Sequence, residues 1–107
     1  MRNNIIVEKL LAYTDKILTY CDGVDHAAFV TDSQLVEACV FNLSQMGELA
    51  NRVDDDFARS HPDVPWRLLY GLRNRIVHDY EGVNLQLIWE IIQEDLPQLR
   101  DVLIKIK

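Results

Sequence analysis

The sequence has little glycine or proline, few cysteines and no long apolar run. Gly occurs four times and Pro three times in 107 residues, which favours long helices over a strand-rich fold with many turns. No apolar run approaches the roughly 20 residues that a membrane-spanning helix needs. The stretch after Met1, RNNIIVEKLLAY, has neither the uninterrupted apolar segment nor the cleavage site of a signal peptide. We therefore expect a cytoplasmic helical protein that does not associate with membranes.

The sequence also lacks the short motifs that hold metals or nucleotides. Cys21 and Cys39 are 18 residues apart and belong to no CxxC or Cys/His cluster, so we expect two reduced thiols. His26 and His61 have no second ligand at helical or hairpin spacing. A glycine-rich phosphate loop, a nucleophile elbow and an HExxH motif are all missing. These absences argue against a metal site and predict no cofactor.

Charge is distributed unevenly along an acidic chain. The net charge of −6 argues against broad nucleic-acid binding. Residues 57–78, however, hold four arginines against the single acidic residue Asp63, a local charge of +3. A small basic site on an acidic body can still hold a few phosphates.

Apolar residues recur at steps of three and four in four segments, the pattern of amphipathic helices. The segments cover about residues 3–20, 33–53, 65–78 and 85–107. The second has the widest apolar face and is expected to be central. No stretch shows the alternation of a strand. We predict an all-α fold, an antiparallel four-helix bundle with short connections, formed by residues 1–107 as one domain.

Local signals delimit these helices. Gly23 is expected to end the first helix, and Thr31 or Asp32 to cap the second. The segment DDDFARSHPDVP is expected to be a polar loop. Asn84 is suited to cap the last helix, in which Pro97 predicts a kink or a local break.

The segment RNRIVHDY, residues 73–80, places a charged side chain where a core residue is expected. Arg73 falls on the apolar stripe of the third helix, between Trp66 and Leu69 on the helical wheel. His78 follows five residues later, about 140° around a continuous helix. The two can converge if the helix loosens near His78, or if two copies of the chain face each other across a two-fold axis. Asn74, four residues before His78, can orient the imidazole.

Arg73 and His78 together are a minimal set of catalytic groups for cleaving RNA without a metal. Histidine exchanges a proton near neutral pH and can deprotonate the 2′-hydroxyl, while arginine matches the oxygens of a pentacoordinate phosphate. A structural interpretation stands beside this one. An arginine near a core stripe often snorkels or pairs with a carboxylate, and a histidine near a helix end often only complements the helix dipole.

The motif and its surroundings resemble the HepT-like branch of the HEPN superfamily. RNRIVHDY matches the RxxxxHxY motif, and PDVPWRLLYGLRNRIVHDY resembles the segment that leads into it. QMGELANRV resembles the central helix, with Glu48 as its acidic residue, and WEIIQEDLPQLRDVL resembles the last helix. The resemblance covers nearly the whole chain.

This resemblance implies a function and partners. HEPN proteins are small helical bundles that dimerise through the motif-bearing face, and active ones are metal-independent ribonucleases. Arg73 and His78 would be catalytic, with Asn74 and Glu48 as supporting residues. Toxins of this branch pair with a small MNT-type nucleotidyltransferase antitoxin, which can transfer AMP to the motif tyrosine, here Tyr80. We therefore expect a homodimeric ribonuclease toxin of a type VII-like toxin–antitoxin pair, with RNA as substrate. The alternative is a non-catalytic helical subunit that serves a nucleotidyltransferase.

Overall fold

The computed structural model describes residues 2–79 and 84–107, without the side chains of Arg73 and of residues 76–79. Within these ranges every regular element is helical, which confirms the prediction of an all-α fold. No helix in the described part of the chain is both long and apolar enough to cross a lipid bilayer.

Seven α-helices and one π-helical segment make up the described structure. In chain order they are α1 (Arg2–Tyr20), α2 (His26–Thr31), α3 (Ser33–Ala50), α4 (Asp55–Ser60), α5 (Trp66–Asp79), α6 (Leu85–Glu90), the π-helical segment (Ile91–Asp95) and α7 (Leu96–Ile106). The four predicted helices correspond to α1, α3, α5 and the continuous run from α6 to α7.

Helix α3 is central, as predicted, because it packs against both α1 and α5. Helices α1 and α3 run antiparallel. The Arg2 guanidinium at the start of α1 donates to the Arg52 carbonyl oxygen just past the end of α3 (3.0 Å), and the Thr14 hydroxyl lies 3.9 Å from the sulfur of Met46. Helix α1 also packs against α7, with an ion pair between Arg100 Nε and Asp15 Oδ1 at 2.6 Å.

The buried side chains follow the predicted stripes. Leu10, Leu43, Leu69 and Leu103 are each fully buried, one in each of α1, α3, α5 and α7. Tyr20, which the apolar period of the first segment places on the core side, is an exception, with 43% of its surface exposed. It is the last residue of α1, and the next residue in the chain is buried instead. Tyr13 and Val36, on the stripes of α1 and α3, are half-buried, so the apolar period predicted most of the described core.

The predicted helix signals are largely confirmed. Asp32 caps α3 by accepting a hydrogen bond from the Leu35 backbone N–H (3.1 Å), and Asn84 caps α6 by accepting one from Leu87 (3.0 Å). Gly23 has a positive φ of 75°, a conformation that glycine adopts readily, in the turn that follows α1. Gly82, which is expected from the sequence to end the third helix, lies outside the described residues.

Two short helices were not predicted, and α3 ends at Ala50 rather than Val53. Helix α2 has only six residues, is capped by Asp25, and is anchored by one fully buried side chain, Phe29, whose ring lies 5.0 Å from that of Trp89. Helix α4 lies inside the predicted polar loop and has no fully buried residue. One turn and a half is too short for an apolar period to be read from the sequence.

The expected disturbance at Pro97 takes the form of the π-helical segment immediately before α7. Proline has no N–H and its ring crowds the carbonyl four residues earlier. The Leu96 N–H donates to the carbonyl oxygen of Ile91, five residues back. The wider turn lets the chain remain helical up to and beyond the proline.

Candidate functional site

The candidate site is built on α5, which begins directly after Pro65. Proline suits the start of a helix because the first N–H groups need no helical partner. The Trp66 indole N–H donates to the His61 carbonyl oxygen (3.0 Å), which fixes the start of the helix. Trp66, Leu69 and Leu72 are buried and hold one side of α5 against the core, in which α3 is its main neighbour.

Arg73 and His78 both lie within α5, which continues as an α-helix to Asp79. The helix therefore does not end or loosen before His78, and that alternative for bringing the two residues together is removed. The two backbone positions are about 140° apart around the helix axis. The remaining alternative is a second chain that supplies the missing partner to each residue.

The position of Arg73 is on the buried side of α5. On the helical wheel it falls between Trp66 and Leu69, which are 8% and 0% exposed. The backbone position of Arg73 is therefore next to core residues on the helical wheel, as the sequence predicted.

The opposite side of α5 is polar and basic. Arg67 and Asn74 are exposed, and the steps of seven and four residues from Arg67 to Asn74 to His78 return to the same side of a helix. Arg75 is also exposed and lies at the edge of this side. Its side chain runs past Gly71, where an added Cβ atom would be 3.9 Å from the Arg75 Cδ. We call the set of Arg67, Asn74, Arg75 and the position of His78 the basic face.

The two arginines of the basic face are available for a ligand. Neither Arg67 nor Arg75 forms an ion pair with a residue in the described ranges. Arg59, by contrast, belongs to the same basic stretch of sequence but pairs with Asp56 on α4. The sequence indicated a basic segment, and the helix shows which of its arginines share a side.

Glu48 lies near the end of α3, the helix that packs against α5, and is half-buried. On the same side of the helix, Glu37 and the C-cap residue Asn51 are exposed, whereas Ser44 is half-buried like Glu48. Glu48 therefore does not lie on a fully solvated face. Its predicted supporting role stays a prediction.

Tyr80, the predicted modification site, lies outside the described residues. In the sequence it directly follows Asp79, the last described residue of α5.

The other two histidines pack against aromatic rings. The His61 ring lies 4.5 Å from that of Phe57, and the His26 ring lies 5.9 Å from that of Trp89. In residues 2–79 and 84–107, no group of three or more His, Cys, Asp or Glu side chains is arranged to hold a metal ion.

Comparison with known proteins places this arrangement in a family context. The family model described as "Ribonuclease HepT-like" matches residues 10–106. The chain is 34% identical over 94 residues to "Putative RNase TTE0752" of Caldanaerobacter subterraneus subsp. tengcongensis, covering 81% of this chain and 84% of that protein. It is 29% identical over 91 residues to "Putative RNase MJ1380" of Methanocaldococcus jannaschii, covering 85% and 84%. It is 33% identical over 72 residues to "Probable ribonuclease HepT" of Thermococcus cleftensis, covering 67% and 66%. No solved structure gives a significant match.

Proposed function

The chain belongs to the HepT-like ribonuclease family, and from this premise we propose that it is a metal-independent endoribonuclease that uses Arg73 and His78. The observation that carries the proposal is the continuous helix α5, which holds both positions and an exposed basic face beside one of them. The substrate is RNA, whose own 2′-hydroxyl is the nucleophile, so the reaction requires no cofactor.

The proposed reaction is an internal transfer at phosphorus. The His78 imidazole accepts the proton of the 2′-hydroxyl, and the 2′-oxygen attacks the adjacent phosphorus atom. The Arg73 guanidinium stabilises the additional negative charge on the phosphate oxygens while the 5′-oxygen leaves. The proton held by the imidazole can return to that leaving oxygen. The products are a 2′,3′-cyclic phosphate and a 5′-hydroxyl. Asn74, one turn before His78, orients the imidazole.

We propose that the complete site forms only in a homodimer. One chain presents the positions of Arg73 and His78 about 140° apart around α5, too far around the helix to meet at one phosphate. If two α5 helices face each other across a two-fold axis, each site contains Arg73 of one chain and His78 of the other. Both sites then lie in one shared cleft.

The basic face provides the positive charge with which an acidic chain can bind RNA. The net charge of −6 repels a polyanion at long range, but this repulsion is screened within about 8–10 Å at physiological salt. Arg67 and Arg75 then contact phosphates near the scissile one. Since α5 rises about 1.5 Å per residue, Arg67 and the position of His78 are roughly 16 Å apart along the helix. This length corresponds to a few nucleotides.

Control of the ribonuclease is assigned to an MNT-type nucleotidyltransferase antitoxin in a type VII-like toxin–antitoxin pair. The oxygen of Tyr80 attacks the α-phosphate of ATP and pyrophosphate leaves, so that AMP is joined to the side chain. Because Tyr80 follows α5 directly, the added phosphate and nucleoside are close to the end of the motif. Negative charge and bulk at that position repel RNA from the cleft.

The first prediction concerns the chemistry. The purified protein cleaves RNA with EDTA present and leaves DNA of the same sequence intact, because DNA lacks the 2′-hydroxyl. His78→Ala and Arg73→Ala each reduce cleavage by about 100-fold or more. His26→Ala, which removes an exposed histidine packed on Trp89, retains it. Products are resolved on denaturing gels. Full activity of His78→Ala would remove the assignment. An inactive wild-type protein would favour the non-catalytic subunit of a nucleotidyltransferase.

The second prediction concerns the shared cleft. Arg73→Ala and His78→Ala chains carrying different tags are expressed together, and the mixed dimer is purified through both tags. It has one site with both residues, so it recovers about half of the wild-type activity per dimer, whereas each variant homodimer is inactive. Light scattering checks the dimer mass. A mixed dimer no more active than the two variants, or a strictly monomeric wild type, contradicts this geometry.

The third prediction concerns the basic face. The binding variants carry His78→Ala as well, so that the RNA stays intact. Arg67→Ala and Arg75→Ala each weaken RNA binding. Each also reduces the slope of the logarithm of the binding constant against the logarithm of the salt concentration by about one, the value for one lost phosphate contact. Arg59→Ala is the matched control, because that arginine already pairs with Asp56, and it changes binding little. Fluorescence anisotropy at several salt concentrations measures both quantities. An equal loss in all three variants would show that net charge alone, and not the basic face, determines binding.

The fourth prediction concerns control by the partner. After coexpression with an active nucleotidyltransferase, mass spectrometry finds the mass of AMP on the peptide that contains Tyr80. Tyr80→Phe stays unmodified and still arrests growth when the partner is present. Tyr70→Phe, which changes a half-buried tyrosine in α5, is modified like the wild type. Unmodified Tyr80 beside a partner that neutralises the protein would mean that neutralisation occurs by binding alone.

A further inference from the structure

Two cysteines that are distant in sequence lie in contact in the core. The sulfur atoms of Cys21 and Cys39 are 3.6 Å apart, and both residues are buried, with 5% and 0% of their surface exposed. Cys21 is the first residue after α1, and Cys39 lies in the second turn of α3. The antiparallel packing of α1 and α3 brings them together at the end of this interface opposite to Arg2 and Arg52.

The two sulfur atoms need to move only a short distance toward each other to form a covalent bond. A disulfide has an S–S distance of about 2.05 Å, so the two sulfur atoms must approach by roughly 1.5 Å. Cys39 is held within α3, but Cys21 lies in the turn that contains Gly23, where φ is 75°. A turn residue can change its side-chain rotamer and shift its backbone at less cost than a residue inside a helix. Cys21 is therefore the partner that moves.

We propose that Cys21 and Cys39 form an oxidation site in which a small peroxide converts the two thiols into an intramolecular disulfide. The bond would join the end of α1 to α3. The site is separate from the motif helix and does not depend on the proposed ribonuclease activity.

The environment of the pair suits this chemistry. The hydrogen bond between the two sulfur atoms lowers the pKa of Cys21, although burial acts in the opposite direction. The same hydrogen bond raises the pKa of Cys39, and its burial and the charge of Cys21 act in the same direction. Cys21, the more exposed of the two, is thus the nucleophile, since the thiolate is the reactive form.

The reaction balances with one molecule of hydrogen peroxide. The Cys21 thiolate attacks one peroxide oxygen, the O–O bond breaks, and the hydroxide that leaves takes up a proton to form water. The resulting sulfenic acid is attacked by the sulfur of Cys39, an S–S bond forms, and a second water leaves. The two thiols lose two electrons and the peroxide is reduced to two waters. The low exposure of Cys21 favours an oxidant of this size over a bulky disulfide.

The bond would stabilise the fold by restricting the unfolded chain. It links residues 18 positions apart, for which the loss of unfolded-state entropy raises the melting temperature of a domain of this size by about 14 °C. Because α3 also packs against α5, the link secures the helix that supports the motif helix. Thiol reductants reverse the bond.

The test treats the reduced wild-type protein with hydrogen peroxide in stoichiometric steps under native conditions. Intact-mass spectrometry then measures the loss of two hydrogen atoms, and peptide mapping without reduction identifies the linked cysteines. Thermal unfolding compares the oxidised protein with the same sample after reduction. Cys21→Ser and Cys39→Ser serve as matched controls, since each leaves one thiol and neither can form the internal bond.

The expected result is a monomeric chain lighter by two hydrogens, a Cys21–Cys39 peptide, and a higher melting temperature that dithiothreitol reverses. Two free thiols after treatment, sulfinic or sulfonic acid without a disulfide, or a bond between two chains would each overturn the proposal. The mass measurement needs only the wild-type protein, so the outcome stands even if a serine variant fails to fold. RNA cleavage is not a readout, and its absence leaves this result unaffected.

Discussion

The apolar side chains of α3 are shared between two neighbours, α1 on one side and α5 on the other, and the rest of the structure depends on this sharing. Leu43 and Met46 of α3 are fully buried in the core, and α3 packs against both of these helices. Removing a core leucine or methionine of this kind costs about 2–5 kcal/mol, a large part of the stability of a small domain. The position and rotation of α5 are consequently set by α3 and not by α5 alone.

The rotation of α5 has a direct consequence for the proposed site. Its buried side is held by Trp66, Leu69 and Leu72, and Arg73 occupies a position on that side. The position of His78 is then on the other side, in line with Arg67 and Asn74. Because the two positions are about 140° apart, a continuous helix cannot bring Arg73 and His78 of one chain to one point. This constraint is why a second chain is central to the proposed mechanism.

The fold could be predicted from the sequence where the apolar period is long, and could not where it is short. The helices α1, α3 and α5 were predicted to within a few residues, because each offers several turns of periodic apolar residues and a recognisable boundary such as Asp32 or Gly23. Helices α2 and α4 were missed, because six residues give no period. Phe29 is a core residue whose ring contacts that of Trp89, a residue 60 positions away.

The same distinction applies to the site. The spacing within RNRIVHDY determined the angle between Arg73 and His78, since helix geometry is local and depends on the residue count alone. It did not determine whether the helix would persist to His78, nor which arginines would remain unpaired in the described structure, as Arg67 does and Arg59 does not. The two cysteines are the clearest case. Their separation of 18 residues, outside any CxxC motif, indicated two reduced thiols, and only the antiparallel packing of α1 on α3 placed their sulfur atoms in contact. Local periodicity thus determined the helices and their faces, whereas contacts between helices required the tertiary structure, because they depend on how several faces are buried at once.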